Sequence, residues 1–125
     1  MFHSFYIVNK YYEKNTWSNC SCWKQWGSII SSSKKLINEI LIKNEITEND
    51  IEFAIFTVTS DISEAFPAKA FRELEMRSVA AIDTLAPKIE DDLSGCIRIL
   101  IYLNKDLAEI NHVYLDDAKK LRPDR

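Results

Sequence analysis

Glycine is scarce in this chain. Gly27 and Gly95 are the only two in 125 residues, so the Gly-rich loops whose backbone amides wrap a phosphate have no place here. Cysteine is equally sparse: Cys20, Cys22 and Cys96 make an odd number without a secretory signal, which argues against a disulfide framework. Cys20-Ser21-Cys22 with His3 and His112 lacks the spacing of a zinc finger or ribbon, and no metal site is expected. No apolar run approaches the roughly 20 residues that span a membrane. The N-terminus lacks the apolar core of a signal peptide, so the expected location is cytoplasmic. Excess positive charge is also missing. Lys and Arg number 16 against 19 Asp and Glu, which turns the reading away from nucleic acid as the partner. Neither a Ser-His-Asp nor a Cys-His nucleophile is indicated. His112 beside Val113 reads as structural, and Glu90-Asp91-Asp92 as a solvated loop.

What is present is a globular composition, 46% hydrophobic and 28% charged, of a size for one domain. It divides into an anomalous segment, residues 1–27, and an orderly domain, residues 28–125. All three tryptophans and two of the three cysteines fall within residues 17–26, with no period of 2 or 3.6. From residue 28 the pattern is regular. Ile29, Ile30, Leu36, Ile37, Ile40 and Leu41 form an apolar stripe that predicts a helix over about 29–44. Thr47-Glu48-Asn49-Asp50 reads as a capped turn or very short helix. EFAIFTVT (52–59) and VAAIDTL (79–85) read as strands, with a helix between them opened by Pro67 and running through Lys69, Arg72 and Leu74. CIRILIYLN (96–104), apolar on both faces, reads as a central strand. Residues 106–111 read as a helical turn and HVYL (112–115) as a short last strand. The expected fold class is α+β: a single-domain mixed sheet with helices on one side. Self-association is one way to cover the face left bare.

The cations are unusually placed. Lys69 and Arg72 follow Phe66 and Pro67 in FPAKAFRE (66–73), and three-residue spacing puts both on one helix face. Arg98 lies inside CIRILI (96–101), opposite Ile97 and Ile99 by alternation and flanked on its own face by Cys96 and Leu100. Arg122 follows Tyr114 and Leu121 in HVYLDDAKKLRPD (112–124). Cations in apolar runs are costly unless they meet an anion. The pattern implies a compact pocket for a small, multiply negative ligand.

FPAKAFRE, CIRILI and HVYLDDAKKLRPD, in this order and with AIFTVTSD (54–61) ahead of them, closely resemble the monofunctional, trimeric α+β class of chorismate mutase. The resemblance covers residues 28–125. It implies a homotrimer in which the sheets form a pseudo α/β barrel, with an active site at each subunit interface. It implies chorismate, a small dicarboxylate, as the substrate, rearranged to prephenate in aromatic amino-acid biosynthesis without a cofactor. By motif, Phe66, Ala68, Lys69 and Arg72 are expected to reach the site from one subunit, with Ile82, Asp83, Thr84, Leu85 and Ala86 lining it. Arg98, Tyr114, Leu121 and Arg122 are expected from the neighbour, with Arg98 as the catalytic group. Two other readings stay open: the trimeric imine/enamine deaminases, which share the architecture but not the FPAKAFRE and LRPD blocks, and a non-catalytic trimer that binds a small carboxylate.

Two departures from the family stand out. The family's glutamate before the loop is replaced by Ala86, and Asp83 is the expected substitute carboxylate. The family also opens with a strand ending in Arg-Gly-Ala-Thr, and residues 1–27 contain no arginine. Thr16-Trp17-Ser18-Asn19-Cys20 can be encoded ACG TGG AGC AAC TGT; read one base later, those bases give Arg-Gly-Ala-Thr. The tryptophan codon forces the glycine. Residues 1–27 are therefore expected to be a frameshifted reading of the usual start, and the chain to lack the first strand and one substrate-binding arginine.

Overall fold

The structure is a computed structural model that describes residues 5–11, 26–91 and 95–115. Its order is β1 (Phe5–Tyr11), α1 (Trp26–Asn44), a 3₁₀ turn (Glu48–Asp50), β2 (Ile51–Val58), α2 (Lys69–Glu73), β3 (Ala80–Leu85), β4 (Cys96–Leu103) and β5 (Tyr114–Leu115). The five strands form one mixed sheet in the order β3-β2-β4-β1-β5. The central strand β4 runs antiparallel to both β1 and β2, while β3 is parallel to β2 and β5 parallel to β1.

Alternation along β4 sorts the two faces of the sheet. Ile97, Ile99, Ile101 and Leu103 are buried with Ala54 and Phe56 of β2 beneath Leu36, Ile37 and Ile40 of α1. Phe71 of α2 meets Phe56 edge to face at 5.9 Å, which seats the short second helix on the same side. Ser33 is tolerated on the buried stripe of α1 because its hydroxyl donates to the Ile29 carbonyl at 2.7 Å, one turn back. The opposite face carries no helix among the described residues. Phe53 and Tyr102 stack there at 4.9 Å, and Ile82 is 61% exposed.

Both helices end without glycine. At α1, Glu45 takes the left-handed conformation (φ 51°). Its N–H reaches the Ile42 carbonyl, and the Ile46 N–H reaches that of Leu41. At α2, Glu75 is left-handed (φ 61°). The Glu75 N–H reaches the Arg72 carbonyl, and the Met76 N–H that of Phe71. Both are Schellman closures, in which glycine is the usual left-handed residue.

Four expectations are corrected. Residues 106–111 form no helix. The backbone of Asn111 is taken up by the side chain of Asn44, which accepts its N–H at 2.8 Å and donates to its carbonyl at 3.0 Å. The last strand is only Tyr114–Leu115, with His112 and Val113 before it. The second helix is five residues long and stops at Glu73, because the Leu74–Met76 turn closes it. A first strand does exist. Phe5–Tyr11, rich in β-branched and aromatic residues, pairs along β4 from Phe5↔Tyr102 to Tyr11↔Cys96. The Trp- and Cys-rich window lies outside the described residues but for Trp26, which opens α1. No described helix is long and apolar enough to cross a membrane.

Asn44 is 7% exposed and also donates to the Ile40 carbonyl. Asn44→Ala strands the N–H and C=O of Asn111, and should cost about 2–4 kcal/mol in urea unfolding.

Candidate active site

The FPAKAFRE segment turns tightly. The N–H groups of Lys69, Ala70 and Phe71 bond three residues back, to Phe66, Pro67 and Ala68. Ala70 and Phe71 go into the core, which leaves Lys69 and Arg72 directed away from it. The segment is tied to β3 by one bond: the Ala68 N–H donates to Asp83 Oδ1 at 3.0 Å. Asp83 points to the helix side of the sheet, opposite Phe56 in the β2–β3 register. Burial pushes its carboxyl above the ordinary range, and the Ala68 bond opposes that only partly.

A cavity of about 510 Å³ opens between α2, the turn after it and β3. Phe66, Ala68, Lys69, Arg72 and Asp83 all line it, with Phe71, Met76, Arg77, Val79 and Ala81. A second hollow of about 360 Å³ shares Phe66, Lys69 and Asp83 and adds Thr84 and Leu85. Among the described residues, no hydrogen bond or ion pair holds the side chains of Lys69 or Arg72. The first cavity thus has three cations against one carboxyl whose burial favours its neutral form. It is suited to an anion. Arg77, Met76, Val79 and Ala81 are lining residues that sequence reasoning missed. They sit in the turn after α2 and at the start of β3, where spacing carries no signal until the turn is folded. Glu48 fixes that turn by accepting both the backbone N–H and the hydroxyl of Ser78. The Ser78 hydroxyl, with the backbone bond second, holds the Glu48 carboxyl below its ordinary range.

The remaining predicted residues lie elsewhere. Arg98 is on the helix-free face of β4, paired with Thr57 on one side and Asn9 on the other. Tyr114 occupies the next register position beyond Asn9. Thr84, Thr57, Arg98 and Tyr114 thus share one level across the sheet, Arg98 and Tyr114 about 10 Å apart by strand spacing. The Thr57 hydroxyl is buried beside Arg98 with no hydrogen-bond partner. Ile82 and Ala86 line neither cavity; the Ala86 N–H extends the ladder to the Val58 carbonyl at 2.8 Å. Leu121 and Arg122 lie outside the described residues.

An α+β sheet with a cation-lined cavity under a short helix, and a separate arginine on its bare face, is an architecture suited to small acids. Comparison with known proteins resolves the class. Residues 23–125 match the family model described as chorismate mutase type I. Two curated relatives are both named chorismate mutase AroH. That of Thermus thermophilus is 34% identical over 100 residues, 78% of this chain and 82% of that protein. That of Bacillus subtilis is 30% identical over 99 residues, 77% and 78% of the respective chains. A solved chorismate mutase from Clostridium thermocellum superposes with a TM-score of 0.82 at 31% identity, covering 94% of this chain and 98% of that one. The chain belongs to the type I chorismate mutase family, and its activity is that of an isomerase.

The raised Asp83 carboxyl has a readable consequence. A folded state that binds a proton more tightly than the unfolded chain is most favoured when the group is protonated. It loses that advantage as pH rises through the folded-state pKa. Asp83→Asn keeps an oxygen for the Ala68 N–H and removes the titration. The melting temperature of Asp83→Asn relative to the parent should therefore be higher at pH 7 and converge on it, or fall below, as pH drops through the acid range. A difference independent of pH refutes the assignment.

Proposed function

We propose that the chain acts as a homotrimer with chorismate as its substrate, and that each active site takes the Lys69–Arg72 cavity from one subunit and Arg98 from the next. The observation that carries this reading is a separation. Arg98 stands on the face of the sheet away from α2 and is not part of the cavity that Lys69 and Arg72 line. One subunit does not unite them. The helix-free face offers the means, since stacked Phe53 and Tyr102 with exposed Ile82 form an apolar surface of the kind buried in obligate oligomers.

The rearrangement of chorismate to prephenate is unimolecular. A C–O bond breaks as a C–C bond forms, with no proton transfer or covalent intermediate. The protein's tasks are to hold the flexible dicarboxylate in its folded chair and to stabilise the negative charge that grows on the ether oxygen. Arg98 takes the second task, because its charge is permanent and its donors form a fixed fork. Lys69 and Arg72 meet the carboxylates, a role that the family motif would extend to Arg122. Phe66 and Ala68 wall the pocket, with Asp83, Thr84 and Leu85 beside them. Tyr114 donates to a carboxylate, and Asp83 takes the place of the family's glutamate, which is Ala86 here, binding the substrate hydroxyl; the family motif would add Leu121 from the neighbouring subunit.

Mixing two inactive variants tests the shared site. Arg98→Ala and Arg72→Ala homotrimers should each lose about a hundredfold or more in kcat/KM. Unfolded together at equal amounts and refolded, they should regain roughly a quarter of the parental activity, the share of sites that draw both intact arginines from different subunits. No recovery from folded mixed trimers excludes a site shared in this way.

We further propose that residues 1–27 are a frameshifted reading of the family's usual start. The family-model match begins only at residue 23. The codons of Tyr12 to Asn15, read one base later, can also give Met-Lys-Lys-Ile ahead of the Arg-Gly-Ala-Thr hidden in Thr16 to Asn19. Sequencing the gene across codons 1–30 decides it, since codons incompatible with that shift remove the explanation.

A further inference from the structure

Arg77 lines the 510 Å³ cavity beside Lys69 and Arg72 and has no role in the mechanism above. Its Nε donates to Glu75 Oε2 at 3.2 Å, and both side chains are about three-quarters exposed (73% and 77%). Among the described residues nothing else bonds the guanidinium, so its terminal nitrogens are available to an anion in the cavity. The turn that carries it is held rigidly. Ser78, the next residue, is bonded through its N–H and its hydroxyl to Glu48, and Met76 before it closes α2 and is buried.

Glu75 supplies a second observation. It occupies the left-handed position of the Schellman closure (φ 61°), which glycine fills without steric cost. The side chain neutralises Arg77 across the 3.2 Å bond. An exposed pair of this type is weak, so a dicarboxylate that offers its own oxygens displaces Glu75 at little cost.

We propose that Arg77 is a further substrate-binding residue, a third cation of the cavity that engages a substrate carboxylate, and that Glu75 is its displaceable counter-ion, setting substrate affinity. The inference rests on the reading of the cavity as half of the active site. It assigns the chain a cation in place of the one that the N-terminal segment lacks.

Steady-state kinetics on the full chain test it. Arg77→Gln should raise KM about tenfold with kcat changed less than about twofold, because the contact is made equally in ground and transition states. Glu75→Gln should lower KM about threefold, and should do so only while Arg77 is present. Glu75→Gly should raise the melting temperature and lower KM together. Glu45→Gly, the same change at the matching closure of α1 and away from the cavity, should raise the melting temperature and leave KM alone. A KM that is unmoved in Arg77→Gln, or a Glu75→Gln effect that persists without Arg77, overturns the proposal. Arg72→Gln separates this failure from failure of the site itself. If Arg72→Gln raises KM while Arg77→Gln does not, only the role of Arg77 falls. If neither does, the cavity is not the substrate site and both readings fall.

Discussion

Everything functional in this fold depends on the alternation of one strand. β4 is central, and burial of Ile97, Ile99, Ile101 and Leu103 against α1 forces Arg98 onto the other face. A slip of one residue would drive a guanidinium into the helix-covered core and expose the isoleucines, at a cost no neighbouring group offsets. Burial thus fixes the register, and the register fixes where the arginine points. The Arg98 side chain is positioned by buried residues on the opposite face of its strand.

The same alternation separates the chemistry. Lys69, Arg72 and Arg77 gather under α2 on the helix side, while Arg98 and Tyr114 lie at one level across the bare side. Like charges kept on opposite sides of a sheet do not destabilise a single subunit. In the proposed assembly another copy would bring its bare face against the cavity, and the substrate's carboxylates would supply the counter-charge. The proposed assembly therefore follows from charge as much as from the exposed Phe53 and Tyr102. An incomplete pocket and an uncovered apolar face have one remedy.

Scarcity of glycine leaves its mark on the local structure. Glu45 and Glu75 fill left-handed positions at the ends of both helices, and Asp91 another in the loop. Gly95 holds the fourth such position, just before β4, where its N–H is bonded to Asp61. Side chains take over work that backbone would otherwise do. Asn44 satisfies Asn111, Asp83 receives Ala68, and Glu48 receives Ser78. Each of these bonds joins segments far apart in sequence, and two of them shape the cavity directly.

Much of this was legible beforehand. The stripe of α1, the three longer strands after it, the central place of CIRILIYLN and the outward face of Arg98 all follow from periods of 3.6 and 2, which are local properties of the chain. The short helix bearing Lys69 and Arg72 was legible too, from Pro67 and the three-residue spacing. What failed was also consistent. The expected turn over 106–111 gave way to bonds with Asn44, a partner 67 positions away, and the first strand was masked by the irregular window that follows it. Arg77 and Ala81 became visible as cavity residues only once the turn after α2 was folded against β3. The sequence by itself determined which residues are buried, which strand is central and which cations face away from the core, because these depend on near neighbours and solvent. The tertiary structure alone decided which of those cations share a cavity and which stand apart from it, because that depends on long-range hydrogen bonds and on strand order, which no local pattern encodes.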